Sequence, residues 1–301
     1  MTTPSPSSQA KAGTGVSPHD SSRSQRSAFR LSRRGRVIFF LTAWLIVLMP
    51  FLFWWSTWFG RPLSEQQIGE YLGDEKHPRH IQHALVQLGD RMAEHDLSAK
   101  RWYPEIARLA GHPVEEVRNT DAWVMGQDTS EEAFHDALLK MLEDPSLNVR
   151  GNAALSLVRF GDPSGRAQLV RLLESVSIAA PEAGRVLDID KAGTSVHQGG
   201  LVAKLANGQR TIEVRSPIAG RVEKPAVSPG AAVSPGAQLA MVDPADSQVW
   251  EALRALYLVG RPEDLPAIRV YRSESGDNSN RVRQQALLTE QAILARARME
   301  P

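Results

Sequence analysis

The chain has 301 residues, a formal net charge of +1, 42% hydrophobic residues and no cysteine. Its length allows one or two domains with sizeable cores. The absence of thiols excludes a disulfide scaffold, thiol catalysis, a lipid-acylated cysteine and cysteine-rich zinc or iron–sulfur sites, and the near-neutral total argues against a chain that coats nucleic acid.

That total hides an asymmetry. Residues 1–36 carry seven basic residues (Lys11, Arg23, Arg26, Arg30, Arg33, Arg34, Arg36) against one acid, Asp20. Rich in Ser, Thr, Pro and Gly through residue 29, this tail reads as disordered and cytoplasmic, its arginines acting as a topology determinant in preference to contacting anionic lipid headgroups. Val37 to Trp58 follows, 22 residues without an ionisable group. A helix of that length covers ~33 Å, enough for the hydrocarbon core of a bilayer. The expectation is one transmembrane helix over 37–59, with Pro50 tolerated inside it and Trp54, Trp55 and Trp58 at the headgroup level. A cleaved signal peptide fits less well, because the basic region before the apolar run is too long and Ser56-Thr57-Trp58 is a poor cleavage site. The positive-inside rule leaves the N-terminus in the cytoplasm. The expected localisation is therefore a single-pass inner-membrane protein, with the 28 basic and 33 acidic residues from Arg61 onward on the periplasmic side.

From Leu63 to Leu173 apolar residues recur three and four apart, a helical pattern. One stretch reads as helix, turn, helix, turn: Met141-Leu142-Glu143-Asp144-Pro145, Asn148-Val149-Arg150, Ala153-Ala154-Leu155, Leu157-Val158-Arg159-Phe160-Gly161-Asp162. Asp-Pro stops one helix and starts the next, and Gly161 supplies a cap with positive φ. Echoes occur at Pro78–Asp90, at Val114–Gly126 and at Val249–Ile268, with a last helix around Val282–Leu287. Taking Gly89, Gly126, Gly161 and Gly260 as capping glycines, the spacing is regular until the last interval, which is about 65 residues too long. An insert between two repeats is the expectation. These residues resemble the short, phycobilisome-lyase-like variant of the HEAT-repeat family over 61–178 and 246–299, though the first two repeats lack the Ala-Ala-Leu core. The resemblance implies an α-solenoid that binds other proteins along a concave face.

Residues 180–244 change character: Val, Ile, Gly and Pro dominate, with alternating runs such as Thr211-Ile212-Glu213-Val214-Arg215. Gly184-Arg185-Val186 returns as Gly220-Arg221-Val222, and Val-Ser-Pro-Gly-Ala occurs at 227–231 and 233–237. Pro-Gly suits the centre of a type II turn. Two β halves related by pseudo-symmetry would interleave into a small flattened barrel. Ser216-Pro217-Ile218-Ala219-Gly220-Arg221-Val222, followed by Pro229-Gly230, Val233, Gly236, Leu239 and Val242-Asp243, resembles the biotinyl/lipoyl-type barrel-sandwich hybrid found in carrier domains and HlyD-type efflux adaptors. In the carriers an acceptor Lys sits on the hairpin joining the halves. Here that hairpin is Leu205–Thr211, where Asn207-Gly208 suits a type I′ turn and no Lys stands at the tip. Lys191, in the acceptor-like Asp190-Lys191-Ala192, and Lys204 are therefore rejected as lipoyl or biotin acceptors, and no cofactor is expected.

No nucleophile elbow, Walker A, dinucleotide fingerprint, zinc-protease or EF-hand motif occurs, so no catalytic residue is assigned and an enzyme is not expected. His77, His80 and His83 are spaced by three, but with no acidic ligand evident a solvated helix start is preferred to a metal site. Trp102, Tyr103, Trp123 and Trp250 are expected in the repeat core, and Arg281, Arg283, Arg296 and Arg298 on a solvated helix face. The fold class expected is an α-solenoid interrupted by a small all-β unit behind one transmembrane helix. The function expected is a membrane-anchored interaction scaffold for envelope or membrane proteins, with no nucleic-acid partner and, by the adaptor resemblance, a role in an export system. A covalent carrier and a ligand-sensing module are the alternatives.

Overall fold

The computed structural model describes residues 39–50, 62–273 and 278–299, so the basic tail 1–36 lies outside the described residues. The chain divides into two units, 1–61 and 62–301. In the first, residues 39–50 form a helix, α1, whose large apolar side chains are mostly exposed. No helix among the described residues is long and apolar enough to cross a membrane. At 1.5 Å per residue α1 covers only about 18 Å, and positions 37–38 and 51–59 of the expected span lie outside the described residues.

The second unit joins a helical region to a small antiparallel sheet region. The helices are α2 (Glu65–Leu72), α3 (Pro78–Ala93), α4 (Tyr103–Leu109), α5 (Glu115–Met125), α6 (Glu132–Met141), α7 (Leu147–Arg159), α8 (Arg166–Arg171), α9 (Asp246–Val259), α10 (Leu265–Arg269) and α11 (Asn280–Met299). They pack as five consecutive pairs, and the second members α3, α5, α7, α9 and α11 stack into an inner row. One core runs through all five pairs, from Ile68, Leu85 and Ile106 through Phe134 and Leu157 to Leu253 and Ile293. A row of this kind buries the apolar stripe of each helix against its neighbours, which no single short helix achieves alone.

Local chemistry sets the helix ends. Ser146 caps α7 by accepting from the N–H groups of Asn148 and Val149. At the other end Gly161 (φ +78°) donates to the Val158 carbonyl and Asp162 to the Leu157 carbonyl, the paired bonds of a Schellman cap. The expected cap at Gly89 is different: Gly89 lies inside α3. There the same two bonds are made by His95 and Asp96, with His95 at φ +61°. Gly126 does cap the end of α5, though at φ −70°, and both it and Gly89 meet a further need, close helix approach. A Cβ on Gly89 would stand 2.8 Å from the Trp123 ring, and one on Gly126 2.4 Å from Ser156 Oγ.

The sheet region comprises β1 (Val176–Ala179), β2 (Gly184–Ile189), β3 (Ser195–Val196), β4 (Leu201–Asn207), β5 (Arg210–Arg215), β6 (Gly220–Pro225), β7 (Ala232–Val233) and β8 (Gln238–Pro244). It starts at Val176, earlier than the boundary of 180 read from composition, because Val-Ser-Ile-Ala follows α8 without an intervening turn signal. Two four-stranded sheets form, in the orders β1-β8-β6-β3 and β5-β4-β2-β7. Each half of the region contributes two strands to each sheet. The halves superpose in pattern: β2 and β6 share the same alternation of burial and a register shift at the same place, after Val186 and after Val222. Both Pro-Gly turns have the expected geometry, with Gly230 and Gly236 at positive φ and the Ala231 and Ala237 N–H groups closing onto Ser228 and Ser234. The hairpin tip departs from expectation. Asn207 stays in β4 paired with Arg210, so the turn is Gly208-Gln209. Gly208 has φ +61° and Gln209 does not have positive φ, which suits a II′ turn in place of I′.

The insert does not fall between repeats. It occupies the loop between α8 and α9, which are the two members of the fourth pair. The geometry makes this cheap. Its first strand pairs antiparallel with its last, Val176 opposite Val242, so the chain leaves and re-enters the helical region at adjacent points.

Candidate functional site

The repeat motif positions a cleft between the inner helical row and the sheet region. Arg118 on α5 bonds back to the carbonyls of His112 and Pro113, and Arg150 on α7 does the same to Asp144 and Pro145. Each Val-Arg thus fastens the turn that precedes its own helix. Arg118 also reaches the next pair, making two bonds to the Asp144 carboxylate at 2.7 and 3.0 Å. Burial opposes ionisation of Asp144, but the Arg118 guanidinium and the Ser146 N–H outweigh it and hold this carboxyl below the usual range.

On the groove side of these turns lies Glu115, accepting from Ser146 Oγ (2.7 Å), Asn148 (3.4 Å) and Gln198 of the sheet region (3.3 Å). Asn148 donates to the Pro217 carbonyl at 2.7 Å, and Leu147 packs on the sheet core. Asn152 donates to the side chain and backbone oxygens of Asn119 on the preceding inner helix. Two adjoining hollows result, of about 740 Å³ beside Gln82, Glu116 and Pro217, and about 300 Å³ beside Asn152, Gln248 and Glu251. Asn119, Asn148 and Gln198 line both. The surface is rich in carboxamides, with the Asn148 and Asn152 N–H groups engaged inside the cleft itself, and Glu115, Glu116 and Glu251 outnumber Arg150 among its charged residues.

The residues singled out in the sequence are distributed as follows. Lys191 is exposed and opens the turn that leads into β3, its carbonyl accepting from Thr194. Lys204 lies within β4 opposite Glu213. Neither is at the hairpin tip. His77 and His80 come together, and with them an acid the sequence spacing did not reveal: Asp74 approaches His77 Nδ1 at 2.9 Å and His80 Nδ1 at 2.8 Å. The His80 hydrogen bond is the largest influence holding the Asp74 carboxyl below its ordinary value. His83 faces Gln87 instead. Tyr103 is buried as expected, its hydroxyl on Asp128 at 2.6 Å, and burial followed by that neighbour raises its pKa. Trp102 and Trp250 are half-buried, and the guanidinium groups of Arg254 and Arg281 both lie over the Trp250 ring. Trp123 is not core; it is 39% exposed and lies over Gly89. Arg298 is solvated, whereas Arg296 binds the Tyr257 and Gly260 carbonyls at the end of α9.

One buried group was not anticipated. Asp121 on α5 is fully buried and neither carboxylate oxygen has a hydrogen-bond partner among the described residues. Burial pushes its pKa well above the ordinary carboxylate value.

No curated protein matches the chain. Among solved structures, one chain of the CpcE–CpcF complex of phycocyanin lyase from Nostoc sp. PCC7120 is similar at 16% identity and a TM-score of 0.42, over 78% of this chain and 67% of that one. A single-chain, multi-domain long-chain acyl-CoA carboxylase is similar at 23% identity and a TM-score of 0.23, over 32% of this chain and 10% of that one. The family model for HEAT repeats matches residues 104–182, from α4 to the start of the sheet region.

Proposed function

We propose that this protein is a membrane-anchored, extracytoplasmic scaffold that holds an extended, basic segment of a cell-envelope partner in the cleft between helices and sheets. The observation that carries this reading is the cleft itself, lined by Asn119, Asn148, Asn152 and Gln198 beside Glu115 and Glu251. Carboxamides pair with peptide backbone without regard to sequence, and Glu115, Glu116 and Glu251 against the single Arg150 leave a net negative lining that favours Lys or Arg on the bound segment. The anchor is Val37–Trp58; its lack of charge and the arginines before it support a cytoplasmic N-terminus and a periplasmic remainder. Confinement to the membrane plane raises the effective concentration of the scaffold near its partners.

The sheet region is read as a barrel-sandwich hybrid of the biotinyl/lipoyl type that has lost its acceptor. The two interleaved halves support that reading, as does the Gly208-Gln209 tip without Lys. A role beside an export system follows from the adaptor resemblance at the level of fold. A photo-crosslinking amino acid placed at Gln198 in living cells should yield a discrete adduct, while the same group at Lys140, on the outer helical row, should not. Equal labelling from both positions, or protection of the region from protease added to spheroplasts, overturns the proposal.

A further inference from the structure

The turn between α2 and α3 carries chemistry that the cleft does not use. We propose that Asp74, His77 and His80 form a binding site for a divalent transition-metal ion of the zinc class. Among the described residues these three alone present one ligand atom each within 4.8 Å of one another. Two imidazoles and a carboxylate are a donor set that such ions prefer.

The backbone explains the convergence. His77 N–H bonds to the Asp74 carbonyl at 2.9 Å and His80 N–H to the His77 carbonyl at 2.8 Å. Both bonds close tight turns: Asp74 to His77 is the turn after α2, and His77, with φ −126° and ψ 78°, is the residue before α3 and not itself helical. The two successive turns bring both imidazoles onto the one Asp74 carboxylate. The His80 ring is held by stacking on Tyr71, with centroids 4.4 Å apart and planes 12° from parallel. The same turn is tied to the next helical pair where Glu75 meets His112 Nε2 at 2.9 Å.

Both Nδ1 atoms face one carboxylate across 2.8–2.9 Å. A tetrahedral ion with bonds of 2.0–2.1 Å needs ligand atoms about 3.3 Å apart, so a small outward rotation of the rings admits the ion. All three side chains are accessible, the His77 side chain being 64% exposed, and water completes the coordination. The bound ion joins the end of α2 to the start of α3, stapling the terminal pair of the helical row.

The test uses the full chain, with any polyhistidine tag removed, titrated with Co²⁺ and followed by its visible d–d absorption. No cysteine is present to compete. We expect one equivalent to bind in the micromolar range and Zn²⁺ to displace it. Affinity should fall on the order of tenfold or more in Asp74→Asn and His80→Ala and stay unchanged in His83→Ala. Zn²⁺ should also protect His77 and His80, but not His83, from diethyl pyrocarbonate in the wild-type chain, a readout independent of how the variants fold. Binding only at millimolar metal, or affinity unchanged in both Asp74→Asn and His80→Ala, overturns the proposal.

Discussion

Asp121 stands where the next repeat has Ala153, and both are fully buried. A carboxyl there without a hydrogen-bond partner is a cost, and the protein meets it by favouring the protonated form. The sign of the pH dependence follows. The folded state holds this proton more tightly than the unfolded chain, so the group removes stability as pH rises from the unfolded value of about 3.9 toward the folded one. Asp121→Ala should raise the unfolding free energy at pH 7 by about 1–3 kcal/mol and flatten that slope, as read by denaturant titrations at several pH values. His95 is a second local misfit, a non-glycine residue at φ +61° where α7 uses Gly161. His95→Gly should stabilise by about 1 kcal/mol, measurable as a shift in the thermal midpoint. Neither site could be read in advance. A sequence gives residue types but not φ, and Leu88-Gly89-Asp90 copies the letters of a helix cap while lying inside α3. A glycine serves a positive φ or a close approach equally well, and only the neighbour, here Trp123, tells which. The true markers are Asp-x-Ser at Asp96, Asp128 and Asp162, where each Asp accepts from the N–H two residues on, a signal the sequence carries independently of glycine.

At the scale of elements the helical pairs are joined by polar clasps over an apolar core. The Arg118–Asp144 pair links the second pair of helices to the third with side chains only 12% and 8% exposed. Removing one partner strands the other, so Arg118→Ala should cost about 3–5 kcal/mol. Arg118→Leu with Asp144→Leu should cost much less, a contrast that a double-mutant cycle reads directly. Asp144 is held below its ordinary pKa, so its contribution is present above the unfolded value of about 3.9 and is lost as pH falls through the folded one. An Asp144→Asn variant should therefore show a shallower acid limb. The third pair was legible because its Asp-Pro, Val-Arg and Ala-Ala-Leu all occur together. The cleft was not, since its carboxamides come from α5, α7 and the sheet region, which are distant in the chain and carry no shared spacing.

For the whole molecule the placement of the sheet region decides what is separable. β1 and β8 lie side by side, so replacing 176–244 by a short Gly/Ser link should leave α8 and α9 paired. The shortened chain should keep its helical circular dichroism and unfold cooperatively, with a smaller denaturant slope in proportion to the lost surface; a non-cooperative melt would show instead that the helical row depends on the sheets. The two compositional regimes and the halves of the insert were legible because period-two and period-3.6 patterns differ. Its address within a pair was not, because a count of repeat lengths is the same whichever loop is interrupted.

That address has a consequence for how the polypeptide is born. α8 emerges from the ribosome with only α7 to pack against, and its partner α9 is not synthesised until every strand has been made. Pairing of β1 with β8 sets the start of α9 back beside the end of α8, so the row can be completed only once the strands are in register. Lesions in strands remote from any helix should accordingly surface as nascent chains that are caught by chaperones with a half-finished array.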